Sequence, residues 1–273
     1  MKTWFITGVS RGLGLALAQA SLDAGDKVIG TTRDGSAALQ AEPGQLTVLT
    51  LDMTDTAAIG PAVEQAFQIA GRLDVIVNNA GYGLLGAIEK AADADVLRLF
   101  EVDVLAPFRI IRAALPHLRR QGGGHVINIT SIAGRAPGAA SGMYSAAKYA
   151  LEGMSAALAQ EVAPLGIHVT AVAPGAFRTD FLSAHSIRRS DAADEVYAAS
   201  VGKTFAALGA MAGSQLGDPQ KAALAIRTLA EAQRPPLHLL LGSDALRRAR
   251  EKLDAVIAEM DLWEDLTRST DFA

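Results

Sequence analysis

The chain has 273 residues, of which 50% are hydrophobic and 20% are charged, and its formal net charge is −4. This balance is typical of a globular protein, and the mild acidity argues against a protein that binds a nucleic-acid backbone. The chain contains no cysteine, which excludes disulfides, thiolate metal sites and cysteine nucleophiles.

Short apolar segments alternate with longer amphipathic segments from the first residues to about residue 242. The short segments are bounded by Gly, Asp, Asn or Pro, as buried parallel strands are, and cover residues 4–6, 27–32, 46–51, 73–77, 125–129, 168–172 and 237–241. Helix-length segments lie between them, for example at residues 14–24, 57–70, 95–119, 143–163 and 219–231. This pattern predicts an α/β fold, with helices on both faces of a parallel sheet of about seven strands. No linker interrupts it, so we expect a single domain over residues 1–273.

Two regions depart from the alternation. Residues 176–217 form a long segment with several glycines, and we expect a substrate-binding insertion or lid there. Residues 243–273 follow the last strand, and their apolar residues at helical spacing predict a helical tail. The basic residues of this tail are interpreted as a solvated face rather than a polyanion patch; they are Arg247, Arg248, Arg250 and Lys252.

A glycine-rich turn connects the first strand to the first helix. Gly8 allows a tight turn, Gly12 lets backbone amides approach a pyrophosphate, and Gly14 allows close packing of the helix. The helix N-terminus adds N–H groups and the positive end of a dipole. A structural glycine turn is the alternative, but the strand-turn-helix context favours a dinucleotide site that comprises Gly8, Ser10, Arg11, Gly12, Leu13 and Gly14.

The spacing Gly8-x3-Gly12-x-Gly14 resembles the fingerprint of the short-chain dehydrogenase/reductase family. The tetrapeptide Asn78-Asn79-Ala80-Gly81 after the fourth strand matches that family's motif, and the resemblance extends from about residue 3 to residue 242. The asparagines can tie neighbouring strands together, while Ala80 and Gly81 leave room for a cofactor. The resemblance implies a Rossmann-type doubly wound sheet. It also implies that Asp52, beside Met53, contacts adenine, with ordinary turn chemistry as the alternative.

The end of the second strand selects between the two nicotinamide cofactors, because it approaches the adenosine ribose. Arg33 presents a guanidinium to a 2′-phosphate, and Arg11 in the glycine loop can reach the same group. Asp34 offers the opposite interpretation, a carboxylate for the ribose hydroxyl of NAD, or else a helix N-cap. Two converging guanidiniums favour NADP(H) over NAD(H).

Tyr144 and Lys148 are four residues apart on a predicted helix and project from the same face. A neighbouring ammonium favours the phenolate, so we expect Lys148 to lower the pKa of Tyr144 and make it a general acid/base. Ser131 precedes Tyr144 by 13 residues, and this order resembles the family's Ser…Tyr-x3-Lys active site.

The resemblance implies further roles. Ser131 binds the substrate oxygen, Lys148 also holds the nicotinamide ribose, and Thr179 after Pro174-Gly175 contacts the nicotinamide carboxamide. The chain departs from the family at Asp103, which stands where an asparagine belongs in the proton relay. An aspartate only accepts hydrogen bonds when ionised, and it can attract Lys148.

These residues predict a cytoplasmic, NADP(H)-dependent oxidoreductase that interconverts a small-molecule carbonyl and an alcohol. The alternatives are a non-enzymatic NADP-binding regulator and a non-redox lyase or epimerase on the same fold. We expect an apolar substrate contacted by residues 84–87, 134–141 and 181–213. No metal-ligand spacing links the histidines, which are His117, His125, His168, His185 and His238.

We expect no nucleic-acid partner, because the chain is mildly acidic and has no dominant basic stripe. We expect no membrane partner, because no segment is apolar over the roughly 20 residues of a membrane span. The segment 102–118 is apolar around much of its circumference, as a deeply buried or interfacial helix is. The resemblance implies pairing through this helix and the Tyr144 helix, in a homodimer or homotetramer.

Overall fold

All seven apolar segments form strands of one parallel sheet in a computed structural model, which describes residues 1–182, 186–190 and 195–272. The strands are β1 (Thr3–Thr7), β2 (Lys27–Thr32), β3 (Leu46–Thr50), β4 (Val75–Asn78), β6 (Gly124–Ile129), β7 (Ile167–Pro174) and β9 (His238–Leu241). Their order is β3-β2-β1-β4-β6-β7-β9, and every pair is parallel. The order reverses direction between β1 and β4, which confirms the doubly wound Rossmann-type sheet and places a ligand crevice at this switch point.

A second, two-stranded ladder was not predicted from the sequence. It pairs β5 (Gly83–Leu85) with β8 (Ile187–Arg189) in parallel. Each strand has only three residues, which is too short for a hydrophobic pattern to reveal. The ladder fastens part of the insertion to the chain just beyond β4.

Helices cover both faces of the large sheet. The helices of the described chain are α1 (Gly12–Asp23), α2 (Thr56–Ala70), α3 (Asp93–Phe100), α4 (Ala106–Arg120), α5 (Gly142–Val162), α6 (Lys203–Met211), α7 (Pro219–Glu231), α8 (Ser243–Leu262) and α9 (Glu264–Arg268). Successive residues of β1 point to opposite faces of the sheet. Trp4 and Ile6 pack with α1 and α7, whereas Phe5 packs with α2 and α4. Because the strands are parallel, their carboxyl ends lie along one edge of the sheet, between the two apolar layers.

The predicted helix over residues 95–119 is interrupted. A π turn at Glu101–Leu105 separates α3 from α4, and its buried Asp103 accepts the Tyr82 N–H through Oδ1 at 3.1 Å. Single π turns inside helices frequently occur at functional sites. Here the turn directs a carboxylate into the protein.

The ends of α7 and α1 follow the sequence signals. Asp218 caps α7 by accepting the Gln220 N–H at 2.8 Å, directly before Pro219. Gly25, with φ of +82°, follows the end of α1. Within the described residues, no helix combines the length and hydropathy needed to span a bilayer.

Candidate active site

The glycine turn between β1 and α1 is shaped to receive a phosphate group. Gly8 and Gly12 have φ values of +74° and +60°, which glycine adopts without strain. A Cβ at Gly14 would lie 2.2 Å from the Gly8 oxygen, so only glycine fits at this closely packed position. Arg11 precedes α1 with an extended backbone, and its side chain makes no capping hydrogen bond to the first turn. The backbone N–H groups at this helix end therefore fit the diphosphate of a dinucleotide.

The motif after β4 fastens this turn to the sheet. Asn79 Nδ2 donates to the Thr7 and Gly8 oxygens at 2.9 and 3.1 Å. In return, Thr7 Oγ1 accepts the backbone N–H groups of Asn79 and Ala80, both at 3.0 Å. These bonds cross directly between the carboxyl ends of β1 and β4.

A buried polar chain continues from the same motif across the sheet. Asn78 Nδ2 donates to Asn128 Oδ1 at 2.7 Å, and Asn128 Nδ2 donates to Ser155 Oγ at 2.8 Å. The chain joins β4, β6 and α5, the helix that carries Tyr144. Asn78 and Asn79 thus tie neighbouring elements together, as the sequence predicted.

A cavity of about 550 Å³ opens at the carboxyl edge of the sheet. Most of the sequence-predicted site residues line it, namely Gly8, Ser10, Arg11, Gly12, Leu13, Arg33, Asp52, Met53, Asn79, Ala80, Gly81, Ser131, Tyr144, Lys148, Pro174, Gly175 and Thr179. Gly14 and Asp103 do not line it. Gly14 packs beneath the glycine turn, and Asp103 lies behind Lys148.

At one end of the cavity, Arg33 and Asp34 have different surroundings. Arg33 lines the cavity, whereas Asp34 accepts hydrogen bonds from the Ser36 N–H and hydroxyl at 3.0 and 2.8 Å. These bonds, the backbone one first, lower the pKa of Asp34. Asp34 caps a turn and not the helix N-terminus considered from the sequence.

Asp52 makes the turn hydrogen bonds that were the alternative to adenine contact, and it also faces the cavity. It lines the cavity, while its Oδ1 accepts the N–H and hydroxyl of Thr54, both at 2.8 Å. The Thr54 backbone bond is the largest cause of its lowered pKa, and the nearby charges of Arg98 and Arg33 act in the same direction. Arg98 also lines the cavity and was not identified from the sequence.

Tyr144 and Lys148 lie together on the buried side of α5. The Lys148 Nζ is 5.7 Å from the centre of the Tyr144 ring and donates to the Ile129 oxygen at the end of β6. Ser131 follows β6, and its Oγ accepts the Ala133 N–H at 3.1 Å and lies near enough to Tyr144 to affect the pKa of the phenol. The loop after Ser131 contacts α5 closely, because a Cβ at Gly134 would lie 2.9 Å from the Lys148 backbone. The structure thus brings all three predicted side chains together.

The pKa of Tyr144 differs from the sequence expectation. Burial of the phenol raises its pKa, and this effect exceeds the opposing influence of the Lys148 ammonium. The Asp103 carboxylate raises the pKa further, while the nearby Ser131 hydroxyl lowers it. Lys148 lowers the pKa of Tyr144, as predicted, but the combined effect of the surrounding protein is to raise that pKa.

Asp103 and Lys148 form a buried ion pair, with 3.0 Å between Oδ2 and Nζ. Burial raises the pKa of Asp103, although Lys148 opposes this. For Lys148, burial disfavours the ammonium, but the Asp103 charge and then Tyr144 outweigh it and raise the pKa. The attraction expected from the sequence is therefore present, and it keeps the ammonium charged beside the phenol.

The loop after β7 is held by an unexpected residue of α8. Asp244 Oδ2 accepts the Ala176 N–H at 2.8 Å, and a Cβ at Gly175 would lie 2.2 Å from Asp244 Oδ1. The carboxylate therefore fixes the backbone beside the cavity. The sequence indicates Asp244 only by its position, three residues after a predicted strand. The carboxyl end of that strand lies at the edge of the sheet where ligands bind.

The apolar part of the cavity is formed mainly by the insertion. Phe181, Leu208 and Met211 line it, together with Tyr82 and Gln215, which the sequence analysis had not identified. The ranges 84–87 and 134–141, expected near the substrate, do not line it. Leu84 packs beneath Tyr144, and Ala136 packs against α8. Part of the predicted range 181–213, including His185, lies outside the described residues. Among those described, no three His, Asp or Glu side chains are placed to hold a metal.

Comparison with known proteins agrees with this geometry. The model of the short chain dehydrogenase family matches residues 2–189. Oxidoreductase BOA17 of Botryotinia fuckeliana is 38% identical over 97% of this chain and 98% of its own length. The 3-ketodihydrosphingosine reductase of Bacteroides thetaiotaomicron is 38% identical over 71% of this chain and 70% of its own. The crystal structure of a short-chain dehydrogenase from Streptomyces avermitilis is 42% identical with a TM-score of 0.92, covering 99% of this chain and 98% of that one.

Proposed function

Because the chain belongs to the short-chain dehydrogenase/reductase family, we propose that it uses NADP(H) to interconvert a ketone or aldehyde and the corresponding alcohol. The observation that carries this proposal is the shared cavity. Ser131, Tyr144 and Lys148 border the same space as the glycine turn, so a bound dinucleotide and a substrate oxygen can meet beside the phenol.

The nicotinamide cofactor, when bound, supplies the hydride chemistry. Tyr144 donates a proton to the carbonyl oxygen during reduction and takes one from the alcohol during oxidation. Ser131 donates a hydrogen bond to the same oxygen and steadies its developing charge. Lys148 stabilises the phenolate that forms, and it would hold the nicotinamide ribose. Thr179 and the backbone beyond Pro174 and Gly175 would hold the carboxamide.

The choice of NADP(H) rests on the surroundings of Arg33. Arg33 and Arg11 both line the cavity, and their guanidiniums suit a 2′-phosphate. Asp34, the candidate for binding an NAD ribose, is already engaged with Ser36. Asp52 and Met53 would flank the adenine.

For the substrate, we propose an apolar carbonyl compound, because Phe181, Leu208 and Met211 line the cavity and the Phe181 ring is centred 6.0 Å from that of Tyr144. The similarity to the Bacteroides 3-ketodihydrosphingosine reductase supports carbonyl reduction. We also propose a homodimer or homotetramer through α4 and α5, on which Phe108 and Tyr149 are 41% and 42% exposed. The cytoplasmic location stays a prediction from the cysteine-free composition.

Loss of NADPH absorbance with a panel of aldehydes and ketones tests the function. We expect Tyr144→Phe to bind cofactor normally but lose about 10²–10⁴-fold in turnover. Tyr149→Phe is the matched control, because it removes a phenol of the same helix that does not line the cavity and whose hydroxyl donates to the Arg135 backbone oxygen at 2.7 Å. Cofactor binding without turnover by the parent protein would support a regulator, and conversion without net oxidation would support a lyase or epimerase.

A further inference from the structure

Among the described residues, the long helix α8 near the C-terminus packs against the rest of the protein only through its first half. Ala245 and Ala249 are buried against Ile132 and Ala136. Val256 is the last partly buried residue, and every described residue from 257 to 272 is exposed. Isolated helices gain little stability from propensity alone, and most of their stability comes from packing of an apolar face. The distal part of α8 has no such packing within the described chain.

An apolar face nevertheless runs along the exposed side of α8. Leu246, Leu253, Ile257 and Met260, here called the α8 stripe, are 42%, 62%, 54% and 64% exposed. Their spacings of seven, four and three residues place them on one side of a helix. Trp263 and Leu266, which follow the end of α8, are 59% and 60% exposed and extend this apolar surface. A continuous apolar surface of this kind marks an interaction site.

The charges beside the α8 stripe determine which partner fits. At about 100° per residue, Arg247, Arg250, Asp254 and Asp261 fall on one flank of the stripe. The two arginines lie near the start of the helix, and the two aspartates lie towards its end. All four are exposed. Arg247 also pairs with Glu251 of the same helix, with 3.1 Å between Nη1 and Oε1, so Arg250 supplies the net positive charge at this end of the flank, and the other end is acidic.

This charge order fits a second copy of the chain in reverse orientation. In a parallel pair, this flank faces the opposite flank of the partner helix, whose nearest residues, Ala249 and Val256, carry no charge. In an antiparallel pair, the basic end of one flank faces the acidic end of the other. A membrane surface fits less well, because residues 243–272 contain eight acidic and five basic side chains and anionic lipids attract basic segments.

We propose that two copies of the protein pair antiparallel through the α8 stripe, with Leu253 beside the two-fold axis and Leu246 opposite Met260 of the partner. Both copies use the same surface in this two-fold interface, so the α8 contact by itself joins two copies and adds no third. It uses a surface separate from α4 and α5, and it therefore either forms a dimer or joins two dimers into a tetramer.

The mass in solution tests the pairing. We expect Leu253→Glu to halve the mass of the full-length protein at micromolar concentration, whether the parent is a dimer or a tetramer. The matched control is Ala255→Glu, which adds the same charge to an exposed position on the opposite side of α8 and should keep the parent mass. Circular dichroism and cofactor binding should be unchanged in both. A monomeric parent, an unchanged mass for Leu253→Glu, or an equal fall for both variants would overturn the proposal.

Cysteine crosslinking tests the orientation, because the chain has no cysteine of its own. Under mild oxidation, we expect Leu253→Cys to form a covalent dimer. Leu246→Cys and Met260→Cys should each remain uncrosslinked alone but crosslink when the two variants are mixed and allowed to exchange. Self-crosslinking of Leu246→Cys would show parallel pairing and overturn the proposal. Sedimentation of a monomeric parent with phosphatidylserine vesicles would also overturn it, by assigning the stripe to a lipid surface.

Discussion

The Lys148 ammonium and the Asp103 carboxylate form a buried ion pair in which Nζ and Oδ2 are 3.0 Å apart. The carboxylate lies behind Lys148, away from the cavity, and its other oxygen accepts the Tyr82 N–H at 3.1 Å. Its charge raises the pKa of both Lys148 and Tyr144. Asp103 is therefore placed to adjust the proton affinity of Tyr144 through space, without contact with the substrate.

Replacing Asp103 with asparagine should move the pH optimum to lower values. The amide oxygen can still accept the Tyr82 N–H, but the negative charge that raises the pKa of Tyr144 is removed. Reduction requires the protonated phenol, so the alkaline limb of kcat/KM should shift towards lower pH, with peak activity equal or higher. The measurement is a pH–rate profile for each protein, with circular dichroism as the folding control. A folded but inactive Asp103→Asn would show that the carboxylate itself takes part in proton transfer.

Gly14 should be irreplaceable because of the space around it. In Gly14→Ala, the new Cβ would lie 2.2 Å from the Gly8 oxygen and 2.3 Å from Asn79 Nδ2. The glycine turn must shift, so we expect cofactor binding to be lost and stability to fall by about 1–3 kcal/mol. Gly60→Ala in α2 is the control, because nothing lies within 4 Å of a Cβ there. It should stabilise the protein by about 0.5–1 kcal/mol. Urea unfolding and cofactor titration of both variants make the comparison, and normal cofactor binding by Gly14→Ala would contradict the steric argument.

The sequence predicted the sheet and the cavity edge well because both depend on local pattern. Seven apolar segments alternate with helices, and the motifs at Gly8, Asn78 and Ser131 each follow a strand, so the parallel sheet gathers them along one edge. Residue spacing also placed Tyr144 and Lys148 on one face of α5. These relationships need no knowledge of distant contacts.

Three features could not be predicted because they depend on tertiary structure. The π turn at Glu101–Leu105 adds one residue to a turn, which scarcely changes a hydrophobic period. Asp244 reaches Ala176 only because β9 lies next to β7 in the sheet. The raised pKa of Tyr144 follows from depth of burial, whereas spacing reveals only that Lys148 is near.

Cofactor preference should depend on Arg33 more than on Asp34. Hydrogen bonds to a charged group contribute about 1.5–3 kcal/mol, so we expect Arg33→Ala to weaken NADPH binding by about 10–100-fold and to leave NADH binding nearly unchanged. Asp34→Asn is the matched control. Its carboxylate bonds Ser36, so neither affinity should change greatly. Titration followed by tryptophan fluorescence measures the affinities of the parent protein and of both variants for NADPH and for NADH. A large loss of NADH affinity in Asp34→Asn would instead assign the ribose hydroxyl to Asp34.

Acid stability should depend on His125, which is buried beside Thr170. Thr170 donates its hydroxyl proton to the Pro236 oxygen at 2.7 Å, so the His125 Nε2–H donates to Thr170 Oγ1 at 2.9 Å. Burial, and then the charge of His168, lower the pKa of His125 to about 3. In the unfolded chain the pKa is about 6.5, so between these values the unfolded state binds more protons.

The stabilising effect of a neutral His125 is therefore complete above pH 6.5 and is lost as the pH falls towards 3, by an amount on the order of 4 kcal/mol. His125→Gln, which does not titrate, should flatten the free energy of unfolding over this range in urea denaturation. His168→Gln removes an exposed ring centred 5.9 Å away and should keep most of the slope. If His125→Gln retains the full parental slope, the loss of stability in acid must come from carboxylates that are ionised in the native state, and the His125 ring must accept a proton without unfolding.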